Sequence, residues 1–156
     1  MGKRTAYIEC NATNQISCLT PKRNPKKFSY MGITFFPMVT ITSLPDILSM
    51  NFDYFILDMG VLNVYTIKEF AKCNKQFLVC SLCEWKRTRS LEKIEELIKK
   101  NNIHQEYVTV LGNASIKKSF LTISSHLTCR FHTLPFITNP FQLSITDFAI
   151  YNRLLN

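Results

Sequence analysis

Residues 51–60, NFDYFILDMG, contain the run YFILD at residues 54–58, in which four consecutive apolar or aromatic residues end in Asp58, with Gly60 two positions later. A continuous apolar run of this length is typical of a β-strand that is buried on both faces. Similar runs, rich in β-branched and aromatic residues, recur at residues 5–10, 33–36, 76–83, 106–111 and 130–136. Each of these runs is predicted to be a strand.

Helix signals lie between most of these runs. Three segments begin with Ser or Thr followed three residues later by an acidic residue, which is the spacing of a capping box: Ser43 with Asp46, Thr66 with Glu69, and Ser144 with Asp147. Residues 89–102 and 116–127 carry apolar residues at helical spacing. The alternation predicts one α/β domain over residues 1–156, with a mainly parallel sheet between two layers of helices. Residues 11–31, rich in Asn, Pro and Lys, are predicted to form a long loop.

Composition sets the class of protein and of partner. The chain has 156 residues, 46% of them hydrophobic, and a formal net charge of +8. This is typical of a globular domain, and the positive charge favours nucleic acid or an anionic membrane surface as a partner. No stretch approaches the roughly 20 apolar residues of a membrane span, and the N-terminus does not resemble a signal peptide, so the predicted location is cytoplasmic.

Ligands of parallel sheets bind at the carboxyl ends of the strands, so polar residues that follow the apolar runs are the candidate site residues. Glu9, Asn11, Asp58, Asn113 and Phe136 occupy such positions. Structural roles stay open for three of them. Asp58 is able to cap the next turn, Glu9 to accept hydrogen bonds from loop amides, and Asn113 to adopt a left-handed turn after Gly112.

Two further groups of residues invite a chemical interpretation. Cys80 and Cys83 form a CxxC motif, but residues three apart on a strand point to opposite faces, so buried structural thiols are favoured over zinc or redox chemistry. Basic residues cluster at residues 22–27 and 86–89, next to Trp85. This arrangement is compatible with binding of nucleic acid.

Several segments together resemble the MinD/ParA group of deviant P-loop ATPases, and the order of the segments matches over residues 3–155. GKRTAYIECNATNQ at residues 2–15 is similar to the segment after that family's P-loop helix, and NFDYFILDMG resembles its Walker B strand. Residues 69–97, YVTVLGN at 107–113 and LPFITNPF at 134–141 resemble its later elements. With Glu9 and its aromatic, Pro-rich last loop, the chain is similar to the TadZ-like branch.

The resemblance implies a P-loop NTPase or Rossmann-like fold that lacks the family's first strand and first helix. It implies ATP and magnesium as ligands, with Asp58 at the metal, Asn113 at the adenine, Pro135 and Phe136 on the base side, and a homodimer as the assembly. The absent first strand would lie between the strand of Asp58 and the strand at 76–83. Either these two strands pair directly or another segment fills the gap.

Two departures from the family bear on activity. The glycine-rich loop and its signature lysines are absent, since the four glycines stand far apart. The family's water-activating carboxylate falls at Asn11, whose amide cannot accept a proton. We therefore expect a degenerate binding or positioning module that acts on a protein partner or as a homodimer, without ATP hydrolysis. The alternatives are an ATPase whose P-loop lies upstream of residue 1 or on another chain, and a basic nucleic-acid-binding protein.

Overall fold

The computed structural model describes residues 2–21, 23–112, 127–135 and 144–155. The chain divides into two compact units, Met1–Lys72 and Cys73–Asn156. Each unit is an α/β arrangement with parallel strand pairing, and each is described by itself below.

The first unit is built on a four-stranded sheet with the order β2-β3-β1-β4. Strand β1 is parallel to both of its neighbours, β3 and β4, whereas β2 is antiparallel to β3. The elements of this unit are β1 (Thr5–Glu9), a 3-10 helix (Gln15–Leu19), β2 (Phe28–Tyr30), β3 (Ile33–Phe36), α1 (Leu44–Leu48), β4 (Tyr54–Asp58) and α2 (Ile67–Lys72).

Strand β1 lies at the centre of this sheet, and Ala6 and Ile8 are fully buried. The opposite face of the sheet carries aromatic pairs, in which Phe35 packs against Tyr7 with ring centroids 5.4 Å apart and stacks on Phe28 at 5.2 Å. Burial of these side chains supplies the driving force for the sheet, since each removes a large apolar area from water.

The second unit is built on a three-stranded, fully parallel sheet with the order β5-β6-β7. Its elements are β5 (Gln76–Cys80), α3 (Glu84–Lys100), a 3-10 helix (Gln105–Tyr107), β6 (Val108–Gly112), β7 (Arg130–Thr133) and α4 (Ile145–Leu155). Helix α3 buries Leu91, Ile94 and Ile98, which recur at helical spacing and form the stripe expected from the sequence.

The α/β class and the mainly parallel pairing are confirmed. All six predicted strand runs contain a strand, and β4 has the predicted bounds 54–58. The prediction of one continuous sheet stays a prediction, because the described strands form two sheets in which β4 and β5 are terminal strands. The helix predicted over residues 116–127 lies almost wholly outside the described residues.

The prediction of a long loop over residues 11–31 is wrong at its end, where β2 forms a hairpin with β3. Tyr30 pairs with Ile33, so the connection has two residues, Met31 and Gly32, with φ of 48° and 79°. Two positive φ angles are typical of a type I′ turn, whose twist matches that of a hairpin. Methionine rarely occupies such a position, so the turn carried no sequence signal.

The capping box predicted at Thr66 and Glu69 is displaced by three residues. The Asn63 Oδ1 atom accepts the Thr66 N–H at 3.2 Å, and the Thr66 Oγ1 atom accepts the Asn63 N–H at 3.0 Å. Asn63 is therefore the N-cap residue of the capping box, and Thr66, three residues later, is its N3 partner. Ser43 stands directly before α1 as predicted, but its hydroxyl donates to the carbonyl of Thr40 instead of capping the helix.

Among the described residues, no helix has the length and apolar character that crossing a membrane requires.

Candidate functional site

Glu9 and Asp58 end the neighbouring parallel strands β1 and β4, and they are paired in the strand register. Register partners in a parallel pair project from the same face of the sheet. The carboxyl edge of the first unit therefore holds two carboxylates on one face, in the positions that the sequence suggested.

Glu9 is fully buried, at 0% exposure. Its carboxylate accepts hydrogen bonds from the segments that follow β1 and β3. Its Oε1 atom accepts the Gln15 N–H at 2.8 Å and the Thr13 hydroxyl at 3.3 Å. Its Oε2 atom accepts the Met38 N–H at 3.3 Å. Both carboxylate oxygens thus accept hydrogen bonds from the chain itself, which is the structural role that the sequence left open for Glu9.

Asp58 is half-buried, and both of its carboxylate oxygens also accept hydrogen bonds. Oδ2 accepts the Tyr7 hydroxyl at 2.9 Å, and Oδ1 accepts the Gly60 N–H at 3.0 Å. Burial, and next the hydrogen bond to Asp58 and its negative charge, raise the pKa of Tyr7 well above its ordinary value. Tyr7 therefore remains a neutral donor to Asp58 at physiological pH.

Asn11 joins the ends of the same two strands. Its Nδ2 atom donates to the Asp58 carbonyl at 3.2 Å, and its Oδ1 atom accepts the Thr13 N–H at 3.0 Å. Gly60 packs directly against it: a Cβ at Gly60 would lie 2.9 Å from the Asn11 Cβ, and φ of Gly60 is +58°. Asn11 therefore links the loops that follow β1 and β4.

The structure places the remaining candidates in the second unit or outside the described residues. Pro135 is half-buried and follows β7, where the Leu134 N–H donates to the Gly112 carbonyl at 2.7 Å. Asn113 and Phe136 lie outside the described residues. Their predicted contacts with adenine and the base side remain predictions.

Among the described residues at this edge, Glu9 is fully buried and Asp58 offers a carboxylate with some access to solvent. Mg²⁺ commonly takes one or two carboxylates and completes its shell with water and phosphate oxygens. A nucleotide also requires a cradle of backbone amides and a lysine around its phosphates. The described residues at this edge supply the carboxylate but no such cradle, and no cluster of three or more metal-binding side chains is found in the described part of the chain.

The CxxC segment connects β5 to α3. Cys83 directly precedes α3, and its Sγ atom lies 3.0 Å from the Ser81 hydroxyl. Burial raises the pKa of the Cys80 thiol, which disfavours the thiolate needed for metal binding or nucleophilic chemistry. This supports the structural interpretation of Cys80.

Tyr7 is the residue of this edge that the sequence analysis missed. It precedes Glu9 by two positions on β1, so it lies on the same face of the sheet, and its hydroxyl reaches across to β4. The alternation of side chains along a strand was the signal that would have revealed it.

Neither a scan against protein-family models nor a search of curated proteins finds a match for this chain.

Proposed function

We propose that this protein is a degenerate MinD/ParA-like module of the nucleotide-binding fold that binds or positions a partner in the cytoplasm and does not hydrolyse ATP. The partner in this proposal is a protein or a second copy of the chain.

One observation carries the absence of hydrolysis: the polar groups at the carboxyl edge of β1 and β4 are used to hold loops together. Glu9 is buried beneath the amides of Gln15 and Met38, and Asn11 joins its own loop to the Asp58 carbonyl. Hydrolysis requires a carboxylate or an equivalent group that orients a water molecule beside the γ-phosphate. The side-chain amide of Asn11 is not a base and performs no such proton transfer.

The same hydrogen bonds support a binding role, because they make the edge rigid. A preorganised surface loses less conformational entropy when a partner binds. Val61, Val64 and Tyr65, in the loop between β4 and α2, are strongly exposed and stand three to seven residues after Asp58. This rigid edge with exposed apolar side chains suits a protein partner better than a small polar substrate.

Calorimetric titration with ATP and ADP in the presence of magnesium, combined with a phosphate-release assay, tests the proposal. We expect no ATP turnover, and an Asp58→Asn variant that matches the wild type in that assay. Turnover that Asp58→Asn abolishes, while Asp53→Asn at the opposite end of β4 retains it, would overturn the proposal in favour of an ATPase completed by another segment or chain. Micromolar nucleotide binding without turnover would retain it and identify ATP as a ligand.

A further inference from the structure

The single tryptophan of the chain is exposed on the first turn of α3. Trp85 is 83% exposed, whereas large aromatic side chains are mostly buried in folded proteins. An indole ring in water offers a flat apolar face on which another aromatic ring is able to stack.

Two exposed cations lie with this ring on the first two turns of α3. Lys86 follows Trp85, and Arg89 lies four residues after it, which makes Arg89 its neighbour on the helix surface. Both side chains are exposed, and no ion pair with either of them is found among the described residues. Lys99, on the last turn of the same helix, is instead paired with Glu95. The charges of Lys86 and Arg89 are thus available to an anion.

The rest of α3 argues against a lipid surface as that anion. A helix that lies on a membrane must present an apolar stripe to the acyl chains. The apolar stripe of α3 is buried, and beyond the first two turns the exposed side carries Glu92 and Glu96 as well as Lys93. This mixture of charges gives anionic headgroups no continuous cationic face along the helix, whereas Lys86 and Arg89 form a short stretch with no acidic residue between them.

We propose that the α3 patch, defined as Trp85, Lys86 and Arg89, binds single-stranded nucleic acid. An unpaired base stacks on the indole of Trp85, and Lys86 and Arg89 contact the phosphates on either side of that base. Stacking on an aromatic side chain combined with cationic contacts to the backbone is the usual mode of binding to single strands. The net charge of +8 adds a long-range attraction to the polyanion. This proposal goes beyond the function above and does not depend on nucleotide binding or on Asp58.

The chain provides its own probe, because Trp85 is its only tryptophan. Titration of the full 156-residue protein with an oligothymidylate of about 15 nucleotides, the upper range of a single-strand binding site, is followed by tryptophan fluorescence. We expect quenching at low salt and weaker binding to a duplex of equal length, whose bases are already stacked. Binding without any change in Trp85 fluorescence would overturn the proposal, as would the absence of binding at low salt.

Variants distinguish binding through the α3 patch from attraction by the net charge of the protein. In fluorescence anisotropy with a labelled oligothymidylate, we expect Trp85→Ala to weaken binding roughly 5- to 150-fold. The double variant Lys86→Gln/Arg89→Gln is expected to weaken binding and to lower the slope of log K against log salt by about 1.4. The control Lys68→Gln/Lys100→Gln has the same net charge and changes two exposed lysines elsewhere.

Equal losses in the two double variants would overturn the proposal, because they would show that net charge alone attracts the strand.

Vesicles containing phosphatidylserine test whether the α3 patch binds a membrane instead. Trp85-dependent binding to these vesicles, together with no binding to the oligothymidylate, would assign the patch to a membrane and overturn the proposal. Circular dichroism of each variant identifies any loss that comes from unfolding.

Discussion

The buried carboxylate of Glu9 is matched to three donors, the N–H groups of Gln15 and Met38 and the hydroxyl of Thr13. In Glu9→Gln one oxygen becomes an NH₂ group, which places a hydrogen-bond donor opposite the N–H or hydroxyl donors that this oxygen accepted. Because Glu9 is fully buried, water cannot repair the mismatch, and we expect the free energy of unfolding to fall by about 1–3 kcal/mol. Urea denaturation measures the change. Glu92→Gln, on the exposed side of α3, is the control and should change it by less than about 0.5 kcal/mol.

The Tyr7 hydroxyl predicts how stability depends on pH. Folding raises the pKa of Tyr7, so its contribution to stability is complete below the ordinary tyrosine pKa of about 10 and is lost as the pH rises above that value. We expect Tyr7→Phe to lower the free energy of unfolding by about 1–2 kcal/mol at neutral pH, because the hydrogen bond to Asp58 is removed.

Denaturation curves at several pH values check this prediction. Above pH of about 10, the stability of the wild type should fall more steeply than that of Tyr7→Phe. Tyr54→Phe is a matched control, since Tyr54 lies on the neighbouring strand β4 and is exposed. Parallel pH profiles for the wild type and Tyr7→Phe would show that Tyr7 ionises as freely in the folded state as in the unfolded state.

At the scale of elements, the start of α2 depends on Asn63 and not on the predicted pair. Asn63→Ala removes the acceptor for two backbone N–H groups, those of Tyr65 and Thr66. We expect a loss of about 0.5–2 kcal/mol, the usual effect of deleting a helix cap. Glu69→Gln, which removes an exposed ion pair with Lys72, should cost less than about 1 kcal/mol. A larger loss for Glu69→Gln than for Asn63→Ala would contradict this assignment and support the predicted capping box of Thr66 and Glu69.

The strands were predictable because their signal is local. YFILD at residues 54–58 is a continuous apolar run, and it became β4 with the predicted bounds. The burial on both faces that such a run indicates is wrong for this strand, because Tyr54 and Ile56 are exposed. Strand β2 has only three residues and follows a polar, Lys-rich segment, so its own sequence indicates a loop. It exists because Phe28 stacks on Phe35 of the adjacent strand, a contact that no local pattern contains.

At the scale of the whole molecule, the terminal strands β4 and β5 expose apolar side chains. Ile56 is 47% exposed and Val79 is 76% exposed, and each strand pairs with one neighbour among the described strands. Such edges promote association between copies of a protein. We therefore expect light scattering after size-exclusion chromatography to show a molecular mass that rises with protein concentration.

Substitution of the edge residues tests this expectation. Ile56→Lys and Val79→Lys place a charge on the terminal strands and should shift the protein towards monomer. Met50→Lys is the control, because Met50 is also apolar and exposed but lies outside the strands. A wild-type protein that stays monomeric over the whole concentration range would refute the prediction, and an equal effect of Met50→Lys would show that any added charge suppresses association.

The sequence by itself determined the α/β class, the positions of most strands, the helical stripe of α3, and the placement of Glu9, Asn11 and Asp58 at strand ends, because apolar periodicity and strand ends are local properties of the chain. Tertiary structure decided what these residues do. Pairing of β1 with β4 brings Tyr7 to Asp58, and the chain after β3 brings the Met38 N–H to Glu9. A hydrogen bond between residues far apart in sequence depends on the register of the strands, which the folded sheet sets.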